Sequence, residues 1–131
     1  MNLTTAIAGI FGLLLTIAGA LGAHQIPPSS AELKASWDSA MLFGFVHTLA
    51  ALVSTRIATS GSLARYAGWA FLFGVVAFSF AVLISTAANA QAGPGADEGF
   101  AGAIGAIAPL GGGAFMVGWI LLTAASLRTR S

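Results

Sequence analysis

The chain has 131 residues, 57% hydrophobic and 7% charged, with a mean hydropathy of +0.91. Soluble domains carry about 25% charged residues, so a water-facing exterior is excluded and a lipid-facing one is implied. The net charge of +1 leaves no polyanion footprint, which argues against nucleic acid as a partner. The absence of cysteine removes disulfides, thiolate metal sites and a cysteine nucleophile. The length suits a single transmembrane domain over residues 1–131, with no separate soluble domain.

Charges punctuate the chain. No Asp, Glu, Lys or Arg occurs in 1–31, 39–55, 66–96 or 99–127. A spanning helix needs about 20 apolar residues, so these gaps predict four spans near 4–23, 39–57, 67–88 and 100–127. The expected fold is all-α, an integral membrane four-helix bundle.

In the first span Thr5/Gly9, Ala8/Gly12 and Ala18/Gly22 place small residues four apart, which predicts close helix contacts at Gly9, Gly12 and Gly22. Ala18-Gly19-Ala20 resembles a signal-peptide cleavage pattern, but no basic n-region precedes it, so the segment reads as a span. Pro27-Pro28 stops this helix, and Ser29 with Glu32 fits a capping box for the next. Trp37 shares a face with Leu33 and suits an interfacial anchor. The second span carries His47 in a mostly apolar run. Tyr66 and Trp69 begin the third span where an aromatic belt is expected, and Phe71, Phe73, Phe78 and Phe80 follow as packing or lipid contacts. Ser79 is the polar side chain near its middle.

An even number of spans puts both termini on one side, with Arg56, Arg65, Arg128 and Arg130. The other side receives Lys34 and the acids Glu32, Asp38, Asp97 and Glu98. Basic residues are retained in the cytoplasm, so both termini are expected there.

The fourth span holds residues 104–115, apolar yet containing Pro109 and the run Gly111-Gly112-Gly113. Proline lacks an N–H and clashes with the preceding turn, so a helix kinked or broken at Pro109 is expected. Such a break survives in a membrane only where protein or water satisfies the freed carbonyls. His47 lies nine residues in from Asp38, and Pro109 nine residues in from Phe100. At 1.5 Å per residue both reach a depth of about 13 Å. A pocket is therefore expected in which His47 meets the Gly105 carbonyl that Pro109 frees, with Ser79 beside it and His24 capping the outer end.

The order of motifs resembles a known family. Gly19-Ala-Leu-Gly-Ala-His24 closes the first span, and Trp37-Asp-Ser-Ala-Met precedes His47-Thr-Leu-Ala in the second. Ala67-Gly-Trp leads to Phe78-Ser79, and Gly105-Ala-Ile-Ala-Pro-Leu-Gly-Gly leads to Gly118-Trp119. Together they look like the family called domain of unknown function 423, relatives of the eukaryotic transmembrane protein 256. The resemblance implies a four-helix membrane protein and carries no reaction with it. The chain departs from the family pattern at Leu42, Gly44, Val46 and Ala108, where a basic residue, a polar residue, tyrosine and threonine are usual. It departs again at Phe80 and Leu83, in place of glycine and tyrosine.

No acid lies in any span, no phosphate loop is present, and no ligand cluster stands at metal-binding spacing. An enzyme is not expected, and no cofactor is implied. The expected function is that of a structural or interaction protein in the lipid bilayer of a bacterial cytoplasmic membrane. It would form a homo-oligomer or an accessory subunit of a larger membrane complex. The alternative is a binding module for a quinone, lipid or haem, using His47 and His24.

Overall fold

The computed structural model describes residues 2–27, 30–57, 61–92 and 99–128, with no strand among them. Helices α1 (Leu3–Gln25) and α2 (Ala31–Ile57) are continuous. The third span, Ser62–Ala92, joins α3 (Ser62–Gly74), a π-helical segment (Val75–Phe80) and α4 (Ala81–Ala92). The fourth, Gly99–Arg128, consists of α5 (Gly99–Gly105) and α6 (Ala108–Arg128). Each of the four is long and apolar enough to cross a bilayer, so the protein is an all-α multi-pass membrane protein.

The helix ends follow from local chemistry. The Asn2 side chain accepts from the Thr5 N–H at 3.3 Å and caps α1. The Ile26 N–H closes that helix on the Gly22 carbonyl, with Pro27 immediately after. The Ser30 carbonyl accepts from the Lys34 N–H at 3.0 Å, the bond expected of an N-cap residue. The predicted capping box involves Ser29, which with Pro28, Asp97, Glu98 and Arg130 lies outside the described residues. Helix α2 thus starts eight residues earlier than the charge-free span, and its charged first turns carry an exposed Lys34–Asp38 ion pair one turn apart.

The fourth span is interrupted by a turn at Ala106 and Ile107. Ile107 N–H bonds to the Ile104 carbonyl at 3.1 Å, and Leu110 N–H to the Ile107 carbonyl at 3.0 Å. Pro109 is the second residue of α6, a position where the missing N–H removes no helix hydrogen bond.

The third span is the centre of the bundle. Over half of its apolar window is buried (56%), against 11% for the first and 17% for the fourth. Its α3 packs most extensively on α6 and then on α2, while α1 packs mainly on α2. Glycines set how closely the helices approach. A Cβ on Gly111 would stand 2.4 Å from the Phe78 backbone nitrogen, so α6 rests directly on the π-helical segment. Nothing lies within 4 Å of a Cβ on Gly112 or Gly113, so only the first glycine of the run serves close packing.

Two expectations about the first loop and span need correction. Gly9 is exposed, and a Cβ placed on either Gly9 or Gly12 would have no neighbour within 4 Å. The buried seam of α1 is Thr4, Ala8, Leu15 and Gly22, a face rotated from the one the four-apart glycines suggested. Of the three glycines only Gly22 is a contact. The Trp37 indole lies where a Cβ on Gly22 would be, with Nε1 at 2.1 Å, so Trp37 is buried rather than anchored at an interface. Tyr66 and Trp69 are exposed in the first turns of α3.

Candidate functional site

The polar centre of the bundle is His47, 5% exposed, in the middle of α2. Its surroundings are aromatic. The ring stacks on Phe115 of α6 at 3.6 Å between centroids with planes 13° apart, and Phe43, Phe71 and Trp119 complete the cage. Nδ1 lies 2.8 Å from the Phe43 carbonyl, and Trp119 Nε1–H donates to Nε2 at 3.1 Å. A carbonyl can only accept and an indole N–H can only donate. The bonding therefore assigns the neutral tautomer with the proton on Nδ1.

Glycines on two helices build this cage. The Phe71 ring occupies the space a Cβ on Gly118 would take, at 2.5 Å, and the Phe115 ring does the same at Gly74, at 2.4 Å. Each helix thus carries Phe-x-x-Gly, as Phe71-Leu-Phe-Gly74 and Phe115-Met-Val-Gly118, and in antiparallel packing each aromatic covers the other's glycine. Phe71 also meets Trp119 edge to face at 5.1 Å. Backbone contact between α2 and α6 is slight, so His47 bridges a gap that the main chains leave open.

The five residues expected to share a pocket do not converge. His47 is buried, but its partners are Phe43 and Trp119, not the Gly105 carbonyl. Gly105 approaches Ser85 instead, whose hydroxyl donates to the Ala101 carbonyl at 2.8 Å and ties α5 to α4. Pro109 and His24 are exposed. Ser79 is fully buried in the π-helical segment, with its Oγ 3.2 Å from a Cβ on Gly44, and it has no hydrogen-bond partner among the described residues. Thr48, one turn from Gly44 on α2, likewise has a buried hydroxyl with no hydrogen-bond partner among the described residues. The depth count failed because it started from charges. Helix α2 begins at Ala31, well before Asp38, and α5 takes up the first turns of the fourth span against α4. His47 consequently meets residues 115–119 rather than 105–109.

Chemically the cage is a closed polar tie. Both imidazole nitrogens are engaged, and among the described residues no three His, Asp or Glu side chains are placed to hold a metal. Phe115, Trp119 and the paired Phe-x-x-Gly segments were missed by sequence reasoning. The repeated three-residue step from Phe to Gly was the available signal.

Fold and site define a small polytopic membrane protein whose helices interlock through glycine and aromatic residues. Residues 18–112 match the family described as "Protein of unknown function (DUF423)", a stretch that contains His47 and Ser79 and ends before Phe115. The chain belongs to that family. It is 30% identical over 112 residues to a "UPF0382 membrane protein" of Staphylococcus epidermidis, covering 84% of this chain and 83% of that one. UPF0382 membrane protein SSP2132 of Staphylococcus saprophyticus is 32% identical over 106 residues, 79% of each chain. UPF0382 membrane protein YwdK of Bacillus subtilis is 27% identical over 136 residues, 98% of each chain. No solved structure matches.

Proposed function

We propose that this protein is a structural or interaction protein of the bacterial cytoplasmic membrane, without catalytic activity of its own. It packs with a second copy or serves as an accessory subunit of a larger membrane complex. The observation that carries this reading is the state of His47. A titratable side chain at membrane depth is by default a functional group. Here both its nitrogens are spent on Phe43 and Trp119 inside an aromatic cage, which is the behaviour of a packing residue. The apolar outer faces of α1 and α6, with Leu13, Leu110, Met116 and Ile120 exposed, leave ample surface for helices of another chain. Both termini are cytoplasmic in this proposal, by the arginine asymmetry of the sequence.

The test is His47→Phe, purified beside the wild type. Two hydrogen bonds are lost, one within α2 to Phe43 and one between helices from Trp119, and an interhelical bond in a membrane contributes about 1 kcal/mol. The expected result is a lower melting temperature in detergent, with the same co-purifying proteins and lipids. An equally stable variant that has lost a bound quinone, haem or protein partner would contradict the packing role.

A further inference from the structure

A groove of about 520 Å³ opens between α1, α2 and α3 at the end of the bundle where α1 and α3 begin, and none of the His47 cage residues lines it. Its walls include Asn2, Leu3, Thr4, Arg65, Gly68 and Trp69. We propose that this groove binds the phosphate of an anionic membrane phospholipid.

The groove is rich in donors and free of acid. Thr4 is 7% exposed, lines the groove, and its hydroxyl makes no hydrogen bond among the described residues. Asn2 spends its side-chain oxygen on Thr5 N–H and its carbonyl on Ala6 N–H. Its amide NH₂ and the first-turn N–H groups of Leu3 and Thr4 are donors the helix does not consume. Arg65 stands in the first turns of α3, where a cation adds to the positive end of the helix dipole instead of offsetting it. No acidic residue occurs in the first turn of α1 or of α3. Glu32 and the Lys34–Asp38 pair sit at the start of α2, the opposite end of the bundle. Ser54 and Thr55 from the last turn of α2 also line the groove, and the charged side chain in its lining is Arg65; phosphate oxygens accept from guanidinium, hydroxyl and backbone N–H alike.

The apolar part of the wall selects a lipid over a soluble phosphate. Leu3 is 51% and Trp69 40% exposed beside the donors, with exposed Tyr66 adjoining, which is how side chains flank a headgroup at the hydrocarbon boundary. Gly68 keeps the floor open: a Cβ there would meet the Thr4 methyl at 3.2 Å.

The experiment uses the full chain in a neutral detergent. Native mass spectrometry after incubation with an equimolar mixture of phosphatidylglycerol and phosphatidylcholine reads the bound ratio. A basic residue near a lipid phosphate gives about fivefold preference, equivalent to about 1 kcal/mol at 1.4 kcal/mol per tenfold. The wild type is expected to retain phosphatidylglycerol by about that factor, Arg65→Gln to lose the preference, and Arg128→Gln, outside the groove, to keep it. Equal retention of the two lipids by the wild type would overturn the proposal without recourse to any variant. So would an Arg128→Gln loss as large as that of Arg65→Gln, since diffuse surface charge would then explain the effect. Displacement of the bound lipid by millimolar inorganic phosphate would reassign the groove to a soluble anion and overturn the lipid source.

Discussion

Ser79 and Thr48 put a sharp question at the scale of single residues. Each hydroxyl is buried without a partner among the described residues, and a buried polar group without a hydrogen bond costs stability. Removing the hydroxyl while keeping the shape is therefore expected to be neutral or stabilising. Ser79→Ala and Thr48→Val should leave the detergent melting temperature unchanged or raise it, by up to about 1–2 kcal/mol in stability. A clear loss in either variant, measured by thermal unfolding, would show that the hydroxyl is engaged. Ser54 is the internal contrast: it is equally buried, but its Oγ donates to the Ala50 carbonyl at 2.8 Å, so Ser54→Ala gains nothing.

At the scale of elements, the spans were readable and their faces were not. The number of helices followed from the charge-free gaps, while the helices themselves run past those gaps: α2 takes in Glu32, Lys34 and Asp38, and α3 takes in Arg65. Faces are normally read from an apolar stripe opposite a polar one. In a helix surrounded by lipid both faces are apolar, and that signal disappears. Gly9 and Gly22 look alike in the sequence, yet only Gly22 supports a neighbour, Trp37. The same ambiguity runs through Gly111-Gly112-Gly113, which supplies a direct test. Gly111→Ala drives a methyl group into the Phe78 backbone and should cost about 1–3 kcal/mol. Gly112→Ala and Gly113→Ala meet nothing and should gain up to about 1 kcal/mol from helix propensity. Thermal unfolding of the three variants in one detergent checks the ordering. Equal losses at all three would mean that α6 does not pack on the π-helical segment as described. That segment was itself invisible in the sequence, since nothing in Val75-Val-Ala-Phe-Ser-Phe80 marks the wider turn.

At the scale of the whole molecule, the central third span explains why so small a chain can hold four helices together. Interhelical packing in lipid depends on close approach and scattered hydrogen bonds. The reciprocal Phe-x-x-Gly contact and the His47–Trp119 bond supply both between α2, α3 and α6. Orientation is testable independently: reporter fusions at residues 60 and 131 should be cytoplasmic, and those at 30 and 95 external. An external C-terminus would reverse the proposed topology. The broad apolar surface on α1 and α6 makes association the central functional claim. Its most direct test is purification of the full-length protein from its native membrane in a gentle detergent, with the mass of the particle and its optical spectrum recorded together. The predicted result is a particle containing a second copy or a stoichiometric protein partner, without a Soret band or bound quinone. A lone monomer carrying a stoichiometric quinone or haem would contradict it.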